Sequence, residues 1–160
     1  MNASELQLAD LVFIRGTRWL DFPIKLVTNS QYTHVAGYVG AANLIEAQGL
    51  RDTGYQPLEA YAGALDVYRC PSLTAQQMEH ILTYAHKQIG GKYDYLLIGW
   101  EALRHIFGIM LPYAQNQRRI CSTLWADAYK SAGVKLCPKH RYPTPADLVK
   151  SPLLRKIGTF

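Results

Sequence analysis

Arg118-Arg119-Ile120-Cys121-Ser122-Thr123-Leu124-Trp125-Ala126-Asp127-Ala128-Tyr129 is the stretch on which the reading of this chain turns. Leu124, Trp125 and Ala128 follow Cys121 at steps of three, four and seven, so a helix beginning near the cysteine puts all four on one side. Cys121 would then occupy the first turn of a half-buried helix. The amides there lack intrahelical partners and the helix dipole adds partial positive charge, so a thiolate is favoured over a thiol. Arg118 and Arg119 push the same way. Taken alone, the helix fits an inert core cysteine better than a reactive one, because free cysteine is among the most buried residue types. Only partners elsewhere in the chain can reverse that.

The partners required are a histidine to take the thiol proton and a polar group to orient the imidazole. Of the five histidines, His80, His86 and His105 fall in helical patterns and His140 in a Pro-rich basic tail. His34 alone lies in a strand-like run, Tyr32 to Gly40. Alternation there sets His34, Ala36 and Tyr38 on one face and Thr33, Val35, Gly37 and Val39 on the other. Leu44 to Gln48 reads as the returning strand. A three-residue loop, Gly40 to Ala42, with Gly40 in an unusual backbone conformation, sets Ala36 opposite Glu46 and places Glu46 diagonally beside His34. A two-residue loop would turn Glu46 to the other side. Singly, His34 fits a satisfied strand histidine and Glu46 a solvent-facing carboxylate. A charge in Asn-Leu-Ile-Glu-Ala nevertheless needs a partner wherever that face is covered.

The chain of 160 residues is of single-domain size, and residues 1–160 are expected to form one domain. With 49% hydrophobic and 18% charged residues it has a globular composition. The net charge of +5 is spread without a block of like charges, so no nucleic-acid partner is expected; a mildly basic surface suits an anionic substrate or membrane surface equally. The first residues show neither a basic start nor an apolar run, which predicts no signal peptide and a cytoplasmic location. Cys70, Cys121 and Cys137 are too few and too irregular for a disulfide framework or zinc site, and neither metal nor cofactor is expected. The apolar run Tyr95 to Leu111, interrupted by Glu101, Arg104 and His105, falls short of the roughly 20 residues of a membrane span and reads as a core helix without stable membrane insertion.

Asp10 to Arg15 reads as a buried strand and Thr17 to Gln31 as a polar loop or short helix. Arg51, Asp52, Gly54 and Pro57 read as turns, Leu58 to Tyr61 as a short helical piece and Leu65 to Cys70 as a strand. Thr74 opens the best-signalled helix, with Gln77 completing a capping box, Leu73 stapled on Met78, and a stripe of Met78, Ile81, Leu82, Ala85 and Ile89. Gly90 and Gly91 stop it. His80 and His86 are six apart and lie on different faces, which argues against a metal pair. Thr144 and Pro145 begin a last helical turn in the basic tail.

Ala9-Asp10-Leu11-Val12-Phe13, Tyr32-Thr33-His34-Val35-Ala36-Gly37-Tyr38-Val39-Gly40, Leu44-Ile45-Glu46-Ala47, Gly91-Lys92-Tyr93-Asp94-Tyr95, Ile120-Cys121-Ser122-Thr123-Leu124 and Thr144-Pro145-Ala146-Asp147-Leu148 occur in an order that resembles the circularly permuted branch of the NlpC-type papain-like superfamily, above all its YiiX-like members. The resemblance implies an α+β fold, papain-like and circularly permuted, in which a small antiparallel sheet packs against helices. It further implies Cys121 as nucleophile, His34 as base and Glu46 as the residue orienting the imidazole, with Gln48 as a fallback orienter. Tyr32 and Tyr93 are candidates to line the substrate site. The implied activity is a thiol hydrolase that cleaves a peptide or isopeptide amide through an acyl-enzyme. A lipid-directed acyl hydrolase or acyltransferase on the same triad, and an inactive binding module, are the alternatives, so the expected partner is a peptide or acyl substrate.

Overall fold

The computed structural model describes residues 2–16, 30–47, 52–91 and 121–160. Six strands form one antiparallel sheet: β1 (Leu11–Arg15), β2 (Tyr32–Gly40), β3 (Asn43–Glu46), β4 (Gly54–Pro57), β5 (Leu65–Arg69) and β6 (Arg155–Thr159), in the order β4-β3-β2-β1-β5-β6. Among the described residues three α-helices accompany it, α1 (Ala75–Lys87), α2 (Cys121–Ser131) and α3 (Pro145–Val149). The architecture is α+β, a small antiparallel sheet with helices against it. The expected core helix over Tyr95 to Leu111 and the segment Thr17 to 29 lie outside the described residues.

The alternation of β1 and β5 decides the layering. Leu11, Phe13, Val35 and Ile45 face Ile81 and Ala85 of α1, Leu124, Trp125 and Ala128 of α2 and Leu148 of α3 in one buried cluster. Val12, Ile14, Ala36, Leu44, Leu65 and Val67 point the other way, where Leu6, Leu58 and Tyr61 cover them. Leu58 and Tyr61 belong to a 3-10 turn over Leu58–Tyr61, as their sequence predicts.

α1 starts where its capping box places it, with Thr74 accepting from the Gln77 amide and the Gln77 side chain returning to Thr74. Its expected stripe is shorter than the periodicity suggests. The helix ends at Lys87, and Gly90 turns with φ +82°, so Ile89 is exposed rather than buried.

The β2–β3 hairpin departs from expectation in its loop and agrees in its register. Gly40 pairs with Asn43, leaving Ala41 and Ala42 as a two-residue loop in which both residues are left-handed, at φ 49° and 55°. A slip between Tyr38 and Gly40 absorbs the extra residue, and Gly37↔Ile45 with Tyr38↔Leu44 keeps the register in which Ala36 stands opposite Glu46. The bulge, in place of a longer loop, keeps Glu46 on the face of His34.

Both outer strands differ from the sequence reading. β4 occupies residues expected as turns, and β6 occupies a tail with no strand expectation. β6 is exposed but for one half-buried position, and β4 alternates half-buried Gly54 and Gln56 with exposed Tyr55 and Pro57, so neither carries the apolar alternation by which a strand is read. Their ladders to β3 and β5 make them strands.

Candidate active site

α2 is fixed over the middle of the sheet by an absent side chain. The indole of Trp125 lies against Gly37 so closely that a Cβ at that position would fall within the ring. Trp125 Nε1 donates to the Ile45 carbonyl at 3.1 Å, and one turn on the Tyr129 hydroxyl donates to the Ala9 carbonyl at 2.7 Å. One turn back from Trp125 is Cys121, roughly 6 Å along the helix. Two residues back from Gly37 is Val35, roughly 6.6 Å along the strand. The two steps match, and the backbone N–H groups of Val35 and Ser122 come near enough to the Cys121 sulfur to favour its thiolate.

The preceding residue on β2 is His34. Its Nε2 meets Glu46 Oε2 at 2.9 Å, and the Cys121 thiol lies close enough to the imidazole for each to shift the other's titration. The Tyr61 hydroxyl donates to the same Glu46 oxygen at 2.8 Å, and its ring centroid lies 6.3 Å from that of His34. Glu46 is only 3% exposed. The structure therefore brings Cys121, His34 and Glu46 together and adds Tyr61, which no pattern in Leu58–Tyr61 singles out.

Burial shifts both members of the thiol–imidazole pair toward their neutral forms, and their mutual charge overcomes it. For His34 burial lowers the pKa, but the Cys121 thiolate, the hydrogen bond to it and the Glu46 carboxylate push it up to about 10. For Cys121 burial raises the pKa, while the His34 imidazolium and the amides of Val35 and Ser122 hold it below the ordinary thiol range. Each charge thus stabilises the other, which shifts the pair toward thiolate and imidazolium, with the Glu46 carboxylate behind the ring. Such a pair holds a nucleophile and the proton that a leaving group needs.

Tyr32 sits elsewhere. Between Ile14 and Arg15 the β1–β2 register slips by one residue, from Ile14↔His34 to Arg15↔Tyr32, and the alternation slips with it. Tyr32 thereby enters the helix-side cluster, its ring 5.5 Å from Phe13 and its hydroxyl donating to Asp66 Oδ2 at 2.6 Å. Burial and these hydrogen bonds raise the phenol's pKa strongly, keeping it neutral. Tyr93, Gln48, Arg118 and Arg119 lie outside the described residues.

No family model matches the chain. It is 30% identical over 138 residues to the probable lipoprotein peptidase YaeF of Escherichia coli (strain K12), an alignment covering 82% of this chain and 50% of that protein. The chain thus spans about half the length of the curated relative it matches. Among solved structures it superposes on the metalloprotein YiiX from Escherichia coli O157:H7 with a TM-score of 0.74 at 18% identity, over 96% of this chain and 97% of that one. The two share a fold. Among the described residues no group of three or more His, Cys, Asp or Glu side chains is arranged to hold a metal ion, and no helix is long and apolar enough to cross a membrane.

Proposed function

We propose that this chain, which belongs to the YiiX-like family, is a cysteine hydrolase of the circularly permuted papain-like type that cleaves a peptide or isopeptide amide. The observation that carries this reading is the His34 imidazole, bonded to the buried Glu46 carboxylate and close enough to the Cys121 thiol for each to stabilise the other's charged form. The relative's description as a probable lipoprotein peptidase supports a peptide bond as the target.

In the proposed reaction the Cys121 thiolate attacks the amide carbonyl, and the developing oxyanion is met by backbone N–H groups at the start of α2. His34 gives its proton to the departing amine as the C–N bond breaks, leaving a thioester on Cys121. Water, deprotonated by His34, then releases the acid and restores the thiolate. Glu46 keeps the imidazole turned toward the sulfur and stabilises its protonated form, and Tyr61 fixes Glu46.

The test compares wild type with Cys121→Ala on peptide and acyl-ester panels, together with the mass of the adduct trapped on Cys121. The reading expects hydrolysis that disappears in Cys121→Ala and an adduct of peptidyl mass. Undiminished hydrolysis in the variant removes the nucleophile assignment, and an adduct of fatty-acyl mass replaces amide cleavage with lipid acyl chemistry.

A further inference from the structure

Part of the positive charge gathers in one segment of the chain. Lys130, Lys135, Lys139 and Arg141 carry four positive charges within twelve residues, and no Asp or Glu occurs from Ala128 to Ala146. These four residues and His140 line one cleft of about 470 Å³. Its remaining wall is Ala126 and Asp127, one turn before Lys130 on α2, with Leu136, Cys137, Pro138 and Pro143. All four permanent cations are exposed, and among the described residues none is ion-paired. Asp127, the one carboxylate of the lining, is engaged in an interaction of its own.

The loop that carries the cations is held in place. Cys137 Sγ donates to the Asp147 carbonyl at 3.3 Å, the His140 amide closes a turn on the Cys137 carbonyl, and the Arg141 guanidinium lies 5.4 Å from the centroid of the Tyr142 ring. Pro138 and Pro143 restrict the backbone on either side. Repulsion among these like charges, three on the restrained loop and Lys130 on α2, is relieved by salt or by a multivalent anion. A single carboxylate would neutralise a fraction of that charge. A phosphate ester supplies several acceptor oxygens and up to two negative charges, which suit an arginine fork with flanking lysines.

We propose that this cleft is a binding site for a phosphate-bearing small group, either a soluble phosphate ester or a phospholipid headgroup. Its first wall residue, Ala126, is five residues after Cys121 on α2, roughly 7.5 Å along the helix axis, and its lining includes none of Cys121, His34 and Glu46, so it is separate from the thiol centre. The proposal does not depend on Cys121 chemistry. The cleft has the volume of a small-ligand site rather than the length of a nucleic-acid track.

The experiment titrates the full chain with inorganic pyrophosphate by calorimetry at near-physiological ionic strength. Three proteins are compared: wild type, the cleft variant Lys135→Gln/Lys139→Gln/Arg141→Gln, and a control variant with the same net charge, Lys87→Gln/Lys150→Gln/Arg155→Gln. All six positions are exposed, and an unchanged melting temperature reports an intact fold. The site predicts saturable one-to-one binding, weakened at least tenfold in the cleft variant and within twofold of wild type in the control. No saturable binding to wild type, or equal weakening in both variants, overturns it. Vesicles then decide the source. Sedimentation with phosphatidylglycerol-containing but not pure phosphatidylcholine vesicles, competed by pyrophosphate, identifies a lipid headgroup. Binding of pyrophosphate without vesicle binding identifies a soluble ester.

Discussion

Two carboxylates are buried in the sheet, and they are held in opposite ways. Asp66, fully buried on β5, meets Arg15 at 3.2 Å and Lys156 at 3.0 Å, and accepts hydroxyls from Thr159 at 2.7 Å and Tyr32 at 2.6 Å. Two permanent cations and two hydroxyls consume its capacity, which is how a buried charge is made structural. Glu46, equally sheltered on β3, faces a histidine whose other partner is a thiol. Its partner can gain and lose a proton without an acceptor being stranded. The first arrangement stores charge, whereas in the proposed mechanism the second keeps a proton mobile next to the nucleophile.

Substitutions at the two sites should therefore separate into losses of rate and losses of stability. The largest expected effect is from His34→Ala, which removes the proton carrier and should lower kcat about a hundredfold to ten-thousandfold on the peptide substrate, read by steady-state kinetics. Glu46→Gln keeps an acceptor on the imidazole and removes the charge. It should cost about ten- to a hundredfold in kcat and pull the His34 pKa down from about 10, so that the alkaline limb of the pH–rate profile moves to lower pH.

Asp66→Asn should leave kcat unchanged and lower unfolding free energy by about 1–2 kcal/mol at neutral pH, because Arg15 and Lys156 are partly exposed and regain water. Burial opposes ionisation of Asp66, but the Tyr32, Thr159 and Lys156 contacts overcome it and depress its pKa. A depressed carboxyl stabilises the fold above its unfolded pKa, near 3.9, and loses that contribution as pH falls through the folded value. The stability gap between wild type and Asp66→Asn should thus close in acid, which denaturant titration at a series of pH values would follow. Tyr61→Phe is the smallest, a twofold to tenfold loss of kcat, the worth of about one hydrogen bond. A Tyr61→Phe protein that loses stability and keeps its rate would place Tyr61 with the storing group instead.

The same contrast separates what the sequence makes legible from what it hides. Singly, His34 fits a satisfied strand histidine and Cys121 an inert core cysteine; they are legible only as an ordered set that resembles a known family, with Glu46, a carboxylate between Ile45 and Ala47, as the one local oddity among them. Asp66, between Leu65 and Val67, is placed as oddly as Glu46, but the cations that neutralise it come from β1 and β6, 51 and 90 residues away. Tyr61 gives no local signal, since its hydroxyl reaches Glu46 from a 3-10 turn. The central strands β1, β2, β3 and β5 are legible because their burial imposes a period of two. β4 and β6 are not, because an edge strand is made by its neighbour's hydrogen bonds. The site of Tyr32 was hidden by a one-residue bulge, which no composition marks.

The most direct test of the central claim, an ion pair between Cys121 and His34 held by Glu46, is the pH dependence of iodoacetamide alkylation at Cys121, followed by peptide mass spectrometry. An ordinary thiol reacts appreciably only near its pKa of about 8.5. The account predicts that Cys121 reacts at a rate nearly independent of pH through neutrality, and that His34→Ala returns its reactivity to the ordinary thiol curve. A wild-type rate that rises through the ordinary thiol range and is unmoved by His34→Ala would contradict it.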